Sequence, residues 1–126
     1  MVDTRILLSG IWVALMLTYL LGDMFRLYSG DFKPGEGFGG KPVSPVLWFG
    51  LSIFMLIPIV MIVLSLVLPG PADRVVNIGV AGFLFLFNLV GLPTYKSAYD
   101  KFLIAVGLVF NILTIWIAWH WVVSAL

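Results

Sequence analysis

Apolar and polar positions segregate along this chain into four long apolar runs separated by short polar stretches. The runs extend from Arg5 to Phe25, Val46 to Leu68, Arg74 to Leu92 and Tyr99 to Val123. A helix crosses ~30 Å of hydrocarbon with ~20 residues, and each run has about that length. None alternates with period two, and all exceed the roughly 9–11 residues of a membrane barrel strand. In lipid the backbone must satisfy its own hydrogen bonds, which leaves helices. The pattern therefore predicts an all-α fold, an integral membrane antiparallel four-helix bundle. It forms a single transmembrane domain over 1–126, with helices at about 5–28, 46–68, 74–92 and 98–123.

The boundaries carry their own signals. Pro69-Gly70-Pro71-Ala72-Asp73 interrupts the second helix and predicts a tight hairpin, with Asp73 capping the third. Pro93 closes the third helix, and Ser97 with Asp100 three residues on makes a capping-box pattern for the fourth. The segment 29–45 holds five Gly and three Pro in seventeen residues and is the one real loop. The first run, with Arg5 before it, has the outline of a signal peptide. Gly22-Asp23-Met24-Phe25 gives it no Ala-x-Ala-like cleavage site, so it is kept as helix 1.

Composition agrees with the pattern: 62% of the residues are apolar, 10% are charged, and mean hydropathy is +1.14. Thirteen charged side chains, seven basic and six acidic, do not cover the water-facing surface of a soluble domain. The same figures exclude a disordered segment, and the lack of cysteine excludes a disulfide scaffold. Arg26, Lys33, Lys41, Lys96 and Lys101 fall on the side of the first and third loops, against Arg5 and Arg74 on the other. Cytoplasmic loops carry the Lys and Arg excess, so both termini are expected outside. The net charge of +1 gives no ground for a nucleic-acid partner.

In lipid, helices associate through small residues and interhelical hydrogen bonds rather than apolar burial. Gly10, Ala14, Thr18 and Gly22 recur every four residues in helix 1, and Gly107, Asn111, Thr114 and Ala118 form a comparable stripe in helix 4. Both stripes are read as bundle-facing. Pro58 removes a donor within helix 2 and frees the carbonyl of Phe54, which predicts a kink. Asn77 and Asn88 are eleven residues apart, three turns, and share a face of helix 3.

Ionisable groups at membrane depth mark functional sites by default. Asp23 and Arg26 come closest, at i and i+3 near the end of helix 1. With Asn88, Tyr99 and Asp100 they make a candidate polar site at the first-loop end. No catalytic residue is identified. Without cysteine there is no thiolate metal site or cysteine nucleophile, and one histidine, His120, makes neither a bis-His haem nor a multi-His zinc site. His120 sits among Trp116, Trp119 and Trp121 and reads as part of an aromatic belt. Gly35-Glu36-Gly37-Phe38-Gly39-Gly40 follows no strand and lacks the Gly-Lys-Ser/Thr ending of a phosphate loop. Ser9, Ser52 and Ser65 have no identifiable base. No metal or cofactor is expected.

Several segments carry a resemblance. They are Leu8-Ser9-Gly10-Ile11-Trp12 with Tyr19-Leu20-Leu21-Gly22-Asp23, and Ile57-Pro58-Ile59-Val60-Met61 continuing through Leu64-Ser65 to Asp73-Arg74-Val75-Val76-Asn77-Ile78. The closing Trp116-Ile117-Ala118-Trp119-His120-Trp121 completes the set. Together they resemble an uncharacterised family of small bacterial four-helix integral membrane proteins, with a looser, fold-level similarity to DoxX-like membrane proteins. The first loop is longer and richer in glycine than the family pattern. The resemblance implies a four-helix topology and a multi-pass protein of the bacterial cytoplasmic membrane, and it assigns no catalytic residue.

Three functions are compatible with these residues. The leading one is a non-enzymatic structural or accessory component that associates with itself or with another membrane protein among membrane lipids. The alternative is a small transporter or channel with its polar site near Asp23 and Arg26. The third is a quinone- or lipid-binding enzyme subunit.

Overall fold

The computed structural model describes residues 3–31, 33, 35, 41–95 and 97–121. Four long helices make up the fold: α1 (Thr4–Tyr28), α2 (Pro45–Val67), α3 (Gly70–Gly91) and α4 (Ala98–Trp119). A 3-10 turn, Leu92–Thr94, follows α3 directly. All four helices are long and apolar enough to cross a membrane. At 1.5 Å per residue the shortest measures about 33 Å.

Local chemistry explains where the helices start. The Asp3 side chain accepts from the Arg5 amide at 2.9 Å and opens α1. Ser44 does the same for α2 through the Leu47 amide, with Pro45 supplying a preset φ in the first turn. Helix α1 runs out at Ser29 before Gly30, whose φ of +83° suits glycine. Two expected caps are replaced. Helix α3 begins at Gly70, four residues before the expected start, because Pro71 belongs to the first turn and does not break it. Asp73 is then one turn inside the helix, turned inward and fully buried. Ser97 occupies the position before α4, yet its hydroxyl donates to Asp31 and caps nothing. Pro58 lies buried within a continuous α2.

Spatial order differs from chain order. Helix α1 packs against both α2 and α4, and α4 against both α1 and α3. Although joined by a two-residue link, α2 and α3 approach far less than α1–α2, α1–α4 or α3–α4 do. The Phe54 ring of α2 stands between them, 4.7 Å from Phe87 and 6.4 Å from Phe83 by ring centroid. The core cluster is Trp12, Leu15, Met61, Ala81 and Leu84, with Tyr19, Ile57 and Val80 packed around it.

The face of α1 that packs is not the small-residue stripe. Gly10 is exposed, and no atom lies within 4 Å of where its Cβ would stand. Ala14 and Thr18 are half-buried, and the Thr18 hydroxyl donates to its own Ala14 carbonyl at 2.8 Å. Gly22 is buried beneath the side chain of Arg26. Leu8, Trp12, Leu15 and Tyr19 form the inner stripe, spaced by four, three and four. Trp12 lies about 200° around the helix from Gly10, so the two stripes cannot both face the bundle. In α4, Gly107, Asn111, Thr114 and Ala118 are all buried. Gly107 forms the recess: its missing Cβ would stand 3.4 Å from the Tyr19 ring and 3.5 Å from Leu15 Cδ1. Large residues on α1 thus fit against small ones on α4.

Gly107→Leu is therefore expected to destabilise the bundle by about 1–3 kcal/mol through overpacking. Gly10→Leu should be nearly silent. Thermal unfolding of the two variants in detergent separates them, and equal stabilities would contradict this seam.

Candidate functional site

Polar side chains gather at the two ends of the bundle. At the first-loop end, Arg26 in the last turn of α1 is only 13% exposed. Its Nη1 donates to Asp100 Oδ1 at 2.6 Å, and its Nη2 donates to Asp23 Oδ1. Asp100, in the first turn of α4, is 4% exposed, whereas Asp23 is 53% exposed. One guanidinium fork thus ties α1 to α4 and takes a second carboxylate from its own helix. The Tyr95 ring lies under the guanidinium, 5.4 Å from its carbon to the ring centroid. Burial pushes the Tyr95 phenol above its ordinary range, with the nearby Arg26 charge opposing. Beside this group, Tyr99 and Ser97 each donate to Asp31 Oδ2 at 2.6 Å, and the Ser29 hydroxyl meets that of Tyr99 at 2.8 Å. Deeper in the bundle, Asn88 Nδ2 donates to the Tyr19 hydroxyl at 2.7 Å and to the Leu84 carbonyl at 2.9 Å.

At the other end Asn77 is the centre. Fully buried on α3, it accepts from Trp12 Nε1 of α1 at 2.7 Å and from the Ser65 hydroxyl of α2 at 3.3 Å. Its Nδ2 donates to the Asp73 carbonyl at 2.9 Å and to Asp73 Oδ1 at 2.7 Å. The second oxygen of Asp73 has no hydrogen-bond partner among the described residues, but lies 3.9 Å from Arg5 Nε. Ser9 adds a further tie, donating to the Ile62 carbonyl of α2 at 2.9 Å. Arg74 points toward α4, where its Nε donates to the Ala118 carbonyl and its Nη2 to that of Trp119, at 3.0 and 2.9 Å. Between the two ends, Asn111 is fully buried beside the Tyr19 hydroxyl, and neither atom of its amide makes a well-aligned hydrogen bond among the described residues.

The sequence places Asp23, Arg26, Asn88, Tyr99 and Asp100 in one candidate site, and the structure divides them. Asp23, Arg26 and Asp100 meet directly. Tyr99 joins the adjoining Asp31 group, and Asn88 serves Tyr19 one layer below. The centre around Asn77 escapes sequence reading because Asp73 looks like a cap and its other partners, Trp12 and Ser65, are distant in sequence. Asp73 and Asn77, a polar pair four residues apart in an apolar helix, are the signal that could have found it.

Little here is poised for reaction. The hydroxyls of Ser9 and Ser52 donate to backbone carbonyls, and that of Ser65 donates to Asn77, so none is hydrogen-bonded to a base. Among the described residues no group of His, Asp or Glu is placed to hold a metal ion. His120 is exposed, with Nδ1 2.9 Å from the Trp116 carbonyl. Two hollows, of about 300 and 620 Å³, open along α3 and α4; Arg74 lines the larger, and the residues around Arg26 and Asn77 line neither. No family model, no curated protein and no solved structure matches the chain.

Arg26 makes the two carboxylates unequal. Asp100→Ala leaves a mostly buried guanidinium short of its interhelical partner and should cost about 3–5 kcal/mol. Asp23→Ala removes an exposed partner and should cost under about 1 kcal/mol. Unfolding measurements on both variants, in detergent at pH 7, test the ordering.

Proposed function

We propose that the chain is a multi-pass protein of the bacterial cytoplasmic membrane, an antiparallel four-helix bundle acting as a structural or accessory component. In this reading it performs no chemistry of its own and associates with a second copy or with another membrane protein. The observation that carries it is the spending of charge: Arg5, Asp23, Arg26, Asp73 and Asp100 are all engaged with one another inside the chain. Groups committed to internal ties hold helices together, and these five are not free to receive a solute. Meanwhile α2 and α3 turn large apolar side chains outward, among them Phe49, Ile53, Val63, Phe83 and Phe87. Such faces belong against lipid or another apolar helix.

The antiparallel arrangement draws support from which helix ends meet. The start of α1 meets the end of α2 through Ser9 and Ile62, and the end of α1 meets the start of α4 through Arg26 and Asp100. The start of α3 meets the end of α4 through Arg74. The resemblance to small bacterial four-helix membrane proteins stands behind the proposed location, and the Lys and Arg excess behind termini outside.

Association is tested by cross-linking purified protein in mild detergent and in membranes, where a dimer or a defined partner is expected. A monomer with no cross-linked partner in either setting rejects the accessory role. Lys41→Cys checks orientation in this cysteine-free chain: an impermeant thiol reagent should label it in inverted vesicles and leave it unlabelled in intact cells.

A second reading, a small transporter or channel, has Asn111 in its favour, since a fully buried amide beside the Tyr19 hydroxyl places polar groups in the core between the two ends. That reading requires Asp23→Asn to keep the fold and abolish ion- or pH-dependent flux in liposomes; unchanged flux dismisses it.

A further inference from the structure

Near the end of α4, one aromatic side chain borders both open hollows. Trp119, 62% exposed, lines the larger together with Pro71, Arg74, Ile78 and Gly79, and the smaller together with Trp116 and Phe85. The smaller hollow is almost wholly apolar, while the larger has one charged residue at its edge, Arg74. A guanidinium has five N–H donors. Arg74 gives one to the Ala118 carbonyl and one to the Trp119 carbonyl, which leaves three. Its carbon also lies 5.8 Å from the centroid of the Trp119 ring, which helps hold the group beside that ring. Unlike Arg5 and Arg26, Arg74 has no carboxylate partner among the described residues.

The geometry points to a binding site for one anionic phospholipid, its phosphate on Arg74 and its acyl chains in the two apolar hollows either side of Trp119. The site rests on the reading of the chain as a membrane protein. Charge complementarity selects the occupant. A zwitterionic lipid carries its own cation beside the phosphate, whereas an anionic one brings a net negative charge to answer Arg74, which no described carboxylate pairs. Arginine suits the task because its planar fork meets two phosphate oxygens at once. The aromatic neighbours stand where an indole bridges headgroup and chain. Gly79 lines the larger hollow, with open space where its Cβ would stand.

The test uses the full chain in dodecyl maltoside, with thermal unfolding and native mass spectrometry as readouts. Dioleoyl phosphatidylglycerol at about tenfold its dissociation constant should raise the unfolding temperature by about 5 °C and persist as a one-lipid adduct. Dioleoyl phosphatidylcholine should do neither, and soluble glycerol 3-phosphate should not substitute for the lipid. Arg74→Gln should erase the preference for the anionic lipid. Gly79→Phe fills the hollow without altering charge and should lose the adduct while keeping full helicity. Lys41→Gln removes a cation elsewhere and should behave as the parent chain. Equal response to both lipids, retention of the adduct by Gly79→Phe, or loss of the preference in Lys41→Gln would each overturn the site. If Arg74→Gln does not fold, the Gly79→Phe and Lys41→Gln results decide it. A chain that stays soluble without detergent would instead refute the membrane reading itself.

Discussion

Three helices converge on one carboxamide. Asn77 accepts from Trp12 of α1 and Ser65 of α2 while its own amide group holds Asp73 on α3. Buried away from water, each of these groups would be penalised for standing alone, so the arrangement is satisfied together or disrupted together. That condition sets how α1, α2 and α3 rotate about their axes at this end. Once Trp12 points at Asn77, Leu15 and Tyr19 follow on the same face of α1, and the groove they fill is the one that Gly107 opens on α4. Ser9 on the Ile62 carbonyl and Arg74 on the carbonyls of Ala118 and Trp119 add to that direction, whereas contacts between aliphatic side chains tolerate rotation more readily.

At the opposite end the same logic is carried by charge. Arg26 is nearly enclosed, and an enclosed guanidinium demands partners of fixed geometry. Asp100 supplies one from α4 and Asp23 supplies another from the preceding turn. The two carboxylates differ in what they contribute: one bridges helices, the other neutralises locally. Helices α1 and α4 are thereby pinned at one end by ions and fitted along their length by size, which accounts for their being the more enclosed pair.

Much of the architecture was legible in the chain. Four apolar runs of sufficient length are unambiguous, and the Asp23–Arg26 pair follows from helical spacing alone. What spacing could not supply was the choice between competing faces. Helix α1 carries a small-residue stripe at 10, 14, 18 and 22 and a large-residue stripe at 8, 12, 15 and 19, and only the partner surface decides between them. Asp73 was misread for a related reason. A carboxylate after Pro-Gly-Pro-Ala resembles a cap until the helix is seen to begin at Gly70, with Pro71 inside the first turn two residues ahead of it. Asp100 and Ser97 satisfy a capping pattern by spacing, yet Arg26 and Asp31, distant in sequence, take both side chains. Long-range partners are invisible to local patterns.

The ring wedge between α2 and α3 bears on how the chain assembles. The close contacts within chain neighbours are α1 with α2 and α3 with α4, while α2 and α3, the tightest turn in the molecule, are held apart by Phe54, Phe83 and Phe87. The molecule thus contains two pairs of chain-adjacent helices joined at residues 68–69, each packed through contacts nearer in sequence than the α1–α4 seam. The α1–α4 seam, which joins the most distant parts of the chain, and the Asn77 centre tie the two pairs together. A cut at residues 68–69 would leave both pairs whole, so that the connection most conspicuous in the sequence is the one the finished bundle depends on least.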